Sequence, residues 1–268
     1  MSIATLPEEL LREILATCLA VDPADFFRFP TLADGAKPPP RAPGLLRVSR
    51  QWRRIGAPLL YAALCLRDAR HTAAVAALFR AAPALGGAVV RLRVEGAGGA
   101  GLAALTQHTP RVRALFLALD RTSVSDAAHL RAALAQLRPH RLFVVDVTRV
   151  VRAFGFFPWA PGTNADAAVG EVEQAIARRW TTLRSVHLGP CFAVSPAMAL
   201  ALDQARQVCQ ARTRTPFSVV VWDLSGESHE IVTDATEDDR MRQSRAKEAA
   251  SDPVGHMQHR RRSTELTN

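Results

Sequence analysis

Apolar residues near the start of the chain recur at helical spacing. Leu6, Leu10, Leu11, Ile14, Leu15 and Cys18 form a broad stripe, with Glu8, Glu9, Arg12 and Glu13 elsewhere, which predicts a helix over 5–20. Thr5 and Glu8 have capping-box spacing, and Pro7 falls in the first turn, where its missing N–H is harmless. The stretch 21–44 holds Pro23, Pro30, Pro38, Pro39, Pro40 and Pro43 and predicts no regular element. Its run Phe26, Phe27, Phe29 predicts that the first part packs on something. Helical spacing returns with Leu45, Val48, Trp52, Ile55 and Leu59, opposite Arg47, Arg50, Arg53 and Arg54. Pro58 is expected to bend or end that helix, and an extended piece then runs to Asp68.

After an Ala-rich helix at 70–82 the period changes. Val90, Leu92 and Val94 alternate with Arg91, Arg93 and Glu95, the pattern of a half-buried strand with those three residues exposed. Strand-like groups recur at Val112–Leu119, Leu142–Val145, Leu183–Leu188 and Val219–Val221, separated by helical stretches near 102–108, 126–137, 168–180 and 196–211. Leu92 to Leu115 is 23 residues, Leu115 to Leu142 is 27, and Leu142 to Val186 is 44. The first two steps fit a leucine-rich repeat, and the third carries an insertion at 154–166 that includes Phe156, Phe157 and Trp159. The apolar signal stops near residue 235, so 236–268 reads as a disordered tail. The expected class is α/β: a helical module over 1–68 with a Pro-rich insertion at 21–44, then strand–helix repeats over 69–235.

The chain has 268 residues, nearly half of them apolar, enough for a sizeable core. No run of apolar residues is long enough to span a bilayer. The opening MSIATLPEELLREI lacks a basic region ahead of an apolar run, so no secretory signal is expected. Cys18, Cys65, Cys191 and Cys209 are widely separated, which argues against disulfide or zinc frameworks and for the reducing cytoplasm or nucleus. Cys18 and Cys65 fall in apolar helical patterns and are expected to be buried thiols. The net charge of +9 invites a nucleic-acid partner. The arginines are spread along the chain, however, and there is a single tyrosine, so the balance is against one.

LPEELLREIL at 6–15 and LLRVSRQWRRIGAPLLYAALCLRD at 45–68 resemble the F-box of fungal F-box-like proteins. The matching positions are Leu6, Pro7, Glu9 and Leu10, then Val48, Ser49, Trp52 and Arg53, then Leu60 and Tyr61. The likeness continues through 77–96 and 108–120, the helix and strands that follow the box in such proteins, and 146–225 shares it in style. It departs from the family in the insertion at 21–44, which a loop can absorb at small entropic cost. The resemblance implies a non-catalytic substrate receptor of a cullin-type ubiquitin ligase. The box would dock on a Skp-type adaptor, and through it a cullin scaffold, by Leu6, Pro7, Leu10, Leu11, Ile14, Val48, Trp52 and Leu60. The repeats would bind a target protein. Arg91, Arg93, Glu95 and the 154–166 aromatics are candidates for that contact, and covering the end of the core is an equal alternative for the aromatics.

Physically, so short a box cannot bury every one of its apolar groups, and the excess stripe either docks on a partner or packs on the chain's own repeats. Two other readings compete with the receptor. One is a repeat-type interaction scaffold without a ligase role. The other is a nucleotide-binding enzyme, because Gly96, Gly98 and Gly101 form a G-x-G-x-x-G between a strand and a helix, with Asp120 ending the next strand. Arg91, Arg93 and Glu95 count against the latter, since a central dinucleotide-binding strand is apolar on both faces. The spacings of nucleophilic or metal-dependent catalysis are missing, and His108, His140 and His187 read as ordinary strand-edge residues. The expectation is no enzyme activity, no cofactor and no metal.

Overall fold

Each period-two group of the sequence forms a strand, and each helical group between them returns the chain to the same edge of one sheet. The protein is described from a computed structural model that covers residues 6–28, 42–95, 99–119, 124–147, 165–213, 216–223 and 228–231. These residues fall within the compact unit Met1–Ile231. The expected tail at 236–268, Gly96, Gly98, Asp120, Phe29 and the insertion aromatics Phe156, Phe157 and Trp159 lie outside the described residues. The first helix starts at Glu8 with Pro7, in place of Thr5, as its N-cap and no side-chain cap bond.

The strands are β1 (Ala63–Leu66), β2 (Arg91–Glu95), β3 (Ala114–Leu119), β4 (Arg141–Asp146), β5 (Ser185–Leu188), β6 (Ser218–Trp222) and β7 (Ser228–Ile231). They lie side by side in sequence order. β1 to β6 are parallel, and β7 closes the end antiparallel to β6. Leu64, Leu92, Leu115, Leu142, Val186 and Val219 stand in one register row, so the uneven spacing in sequence becomes a straight ladder in space.

The connecting helices are α4 (Ala69–Ala81), α5 (Pro83–Gly86), α6 (Gly99–Thr106), α7 (Val124–Gln136), α8 (Ala165–Arg178) and α9 (Pro196–Thr213). α4, α6, α7, α8 and α9 share one apolar cluster with that row of the sheet, including Phe79, Leu105, Leu134, Val172, Ile176 and Met198. Helices therefore cover one face, each packing on the next in order. Trp180, 1% exposed, plugs the turn after α8 and donates its indole N–H to the Leu134 carbonyl at 3.2 Å. Asp68 and Ser195 cap α4 and α9 through bonds from the amides of His71 and Met198.

Ahead of the sheet come α1 (Glu8–Leu19), α2 (Pro23–Phe27), a 3-10 turn at Pro43–Arg47 and α3 (Arg50–Tyr61). Several expectations are corrected here. The stretch 21–44 does contain regular structure: Asp22 caps α2, and Pro23 stands at its first position, where proline is favoured. Pro58 lies inside α3 without ending it. Cys65 belongs to a strand, and Cys18 is exposed, because the buried side of α1 runs through Leu11, Leu15 and Leu19.

Candidate functional site

The box-like segment builds a core of its own. Leu11, Leu15 and Leu19 are at most 1% exposed and pack against Leu45, Leu46, Trp52, Ile55, Leu59 and Leu60. Burying each leucine contributes about 2 kcal/mol. Ser49 is the N-cap of α3, accepting the Trp52 amide at 3.1 Å. The Val-Ser-x-x-Trp spacing noted in the sequence thus has a local cause: the serine starts the helix, and the tryptophan at N3 both donates to that cap and enters the core. Gly56 lets α3 approach α1, since a Cβ there would come within 2.5 Å of Leu46 and 3.0 Å of Leu19. Arg54 pairs with Glu8 across the two helices, and both side chains are exposed. Tyr61 turns away from the box to meet Phe79 edge-on at 5.7 Å, which joins the end of α3 to the sheet core.

The residues expected to dock an adaptor separate into two groups. Leu10 (48%), Ile14 (47%) and Val48 (60%) are exposed, as is Pro7, and Leu6 is half-buried. Leu10 and Ile14, one turn apart, form an outward stripe on α1. Leu11 is fully enclosed, and Trp52 and Leu60 are half-buried against the box core. Leu11 is therefore a support of the outward stripe and has no side-chain surface to offer a partner.

The sheet face opposite the helices carries a second register row: Cys65, Arg93, Phe116, Phe143, His187 and Val220. Arg93 and Arg91 do not project into solvent as the alternation predicted. Arg93 is 8% exposed and donates to the carbonyls of Phe26 at 2.7 Å and Arg28 at 2.8 Å, and to Glu95 at 2.5 Å. Its guanidinium also lies 4.0 Å from the Phe116 ring centroid. Arg91 donates to the Val21 carbonyl at 2.8 Å. The segment 21–28 thus lies across this face as a strap. Phe26 is buried with Val21 and Ala63, and Phe27 stacks on Phe143 at 4.2 Å. Only the recurrence of phenylalanines hinted at this, because alternation within a strand does not say what covers either face.

On the far side of Phe27 the row continues with His187, stacked 4.1 Å from Phe143 within β5. Burial, with Arg141 nearby, pushes its pKa down to about 4. Burial and then Glu95 raise the Cys65 thiol, which leaves it a poor nucleophile. Among the described residues no group of three or more His, Cys, Asp or Glu side chains comes together as a metal site.

Gly101, last of the G-x-G-x-x-G, packs α6 against α4: a Cβ there would sit 3.0 Å from the Ala73 amide nitrogen. The dinucleotide fold places its ligand where strand order reverses, and the described sheet runs in sequence order without a reversal.

The described residues form an α/β protein whose parallel strands lie in sequence order, with a small helical module ahead of the first strand and residues 21–28 across the sheet face opposite the helices. No family model, curated protein or solved structure matches the chain. Among the described residues no helix is long and apolar enough to cross a membrane.

Proposed function

We propose that this chain is a non-catalytic receptor of the F-box kind. In this reading the outward side of the box docks on a Skp-type adaptor and the repeats, leucine-rich-repeat-like in arrangement, hold a target protein for ubiquitin transfer. The observation that carries it is the division of labour within α1. Leu11, Leu15 and Leu19 satisfy the box core, while Leu10 and Ile14 remain exposed on a module already folded against its own sheet. Among the described residues neither Leu10 nor Ile14 joins the sheet cluster, which favours partner docking over packing of that stripe on the chain's own repeats. The contribution of such a receptor is proximity, by raising the effective concentration of target near the ligase.

The test is co-purification of the full chain with its host's Skp-type adaptor. A Leu10→Ala, Ile14→Ala double variant, altered only at exposed positions, is expected to retain the wild-type circular dichroism and lose the adaptor. Retention of the adaptor by the folded variant, or its absence from wild type, overturns the reading. What would then stand is a repeat-type interaction scaffold without a ligase role, favoured by the 21–28 strap, which ties the box to the sheet through Arg91 and Arg93.

A further inference from the structure

Some of the arginines that look dispersed along the sequence precede successive strands, and the fold gathers these at the N-terminal end of the sheet. Every helix-to-strand return meets the sheet at the N-terminal ends of the parallel strands. Arg113, His140 and Arg184 stand there in adjacent positions, linked by backbone bonds from the His140 amide to the Arg113 carbonyl and from the Arg184 amide to the His140 carbonyl, each 2.7 Å. Arg141, one residue on, opens β4 in the next register row and so faces the other side, with Phe143 and His187, while Arg111 and Arg179 occupy the preceding turns. These arginines are exposed, and none forms an ion pair among the described residues. The returns 107–113, 137–141 and 178–184 contain no Asp or Glu. The opposite edge carries Asp68 just past β1, Glu95 ending β2 and Asp146 ending β4.

Helix-dipole complementation accounts for a cation in the last turn of a helix, as at Arg178 and Arg212. It does not account for Arg111, Arg113, Arg141 and Arg184, which lie beyond the helices. Burial first, and then Arg184 and Arg113, hold His140 below its ordinary pKa.

We propose that this arginine edge, centred on Arg113 and Arg184 on either side of His140, binds an acidic, extended peptide segment of a partner protein. Arginine forks pair with carboxylates in bidentate geometry. Neighbouring strands are about 4.8 Å apart, so Arg113 to Arg184 spans about 10 Å, the reach of three or four residues of extended chain. Single-stranded nucleic acid is the weaker fit, because it needs aromatic stacking platforms. The one Phe, Tyr or Trp in these three returns, Trp180, is buried. This names the chemistry of the target and rests on the target-holding half of the proposed function, independently of adaptor docking.

The experiment is fluorescence anisotropy of a labelled oligoglutamate peptide, about a dozen residues long, titrated with the full chain in the absence of any adaptor. An Arg113→Gln, Arg184→Gln variant is compared with an Arg12→Gln, Arg70→Gln variant, which removes the same charge from exposed positions elsewhere. The edge variant is expected to bind roughly tenfold more weakly, and the control to change less than about twofold. Circular dichroism checks that both are folded. Equal weakening in the two variants, or no binding by wild type, overturns the proposal. So does tighter binding of oligothymidylate of matched charge, which would assign the edge to nucleic acid. Adaptor co-purification is read separately, so failure of one reading leaves the other distinguishable.

Discussion

His187 presents its ring to Phe143 within the sheet row, and its Nδ1 is buried without a hydrogen-bond partner. Its folded pKa of about 4 lies below the ordinary 6.5, so the folded protein favours the neutral ring. Between these values the unfolded chain takes up a proton that the folded chain refuses. Stability contributed by this group is therefore complete above about 6.5 and is lost as pH falls through about 4. Thermal unfolding measured across that window should show a falling melting temperature in wild type and a flatter profile in His187→Phe, which keeps the stack. Identical profiles would remove His187 as the cause. None of this was legible in the sequence, where His187 reads as an ordinary edge residue. Its environment is set by Phe143 and Arg141, more than forty positions away.

Elements with a strong period and a clear stop are placed almost where the pattern puts them: α4, β2 to β6 and α9 depart from expectation by only a few residues. The misreadings share a cause. α2 was hidden because five residues are too few for periodicity and prolines dominate the stretch around it. Arg91 and Arg93 looked solvent-facing because alternation separates two faces without saying that a distant segment covers one of them. The strap depends on Arg93, whose loss would leave the Phe26 and Arg28 carbonyls and Glu95 without their donor. Arg93→Met is expected to destabilise the protein by about 2 kcal/mol in denaturant titration and to speed proteolytic cleavage within 21–28. Arg93→Lys should recover only part of this, since an ammonium lacks the fork that reaches the strap and Glu95 together. Unchanged cleavage in Arg93→Met would mean that the phenylalanines alone hold the strap.

Among the described residues, the apolar clusters of the sheet and of the N-terminal module differ greatly in size. The sheet and its helices share a cluster that runs from Leu64 to Val219, whereas the box rests on three fully buried leucines and their partly exposed neighbours. Hydrogen exchange should accordingly show α1 and α3 opening at lower free energy than β3 and β4, whose residues are buried almost throughout. Equal protection in both regions would mean that the box and sheet unfold as one cooperative unit. The sequence by itself determined the α/β class, the order of strands and helices, and the apolar row that becomes the core, because these follow from local periodicity. It also pointed to the N-terminal helical module, whose Ser49 cap and leucine stripe are local features. Tertiary structure alone decided which side of α1 is buried, what covers the sheet face opposite the helices, and which arginines come together. Those outcomes depend on contacts between residues far apart in the chain. Parallel strands laid down in order bring Arg113 and Arg184, 71 positions apart in sequence, to either side of His140.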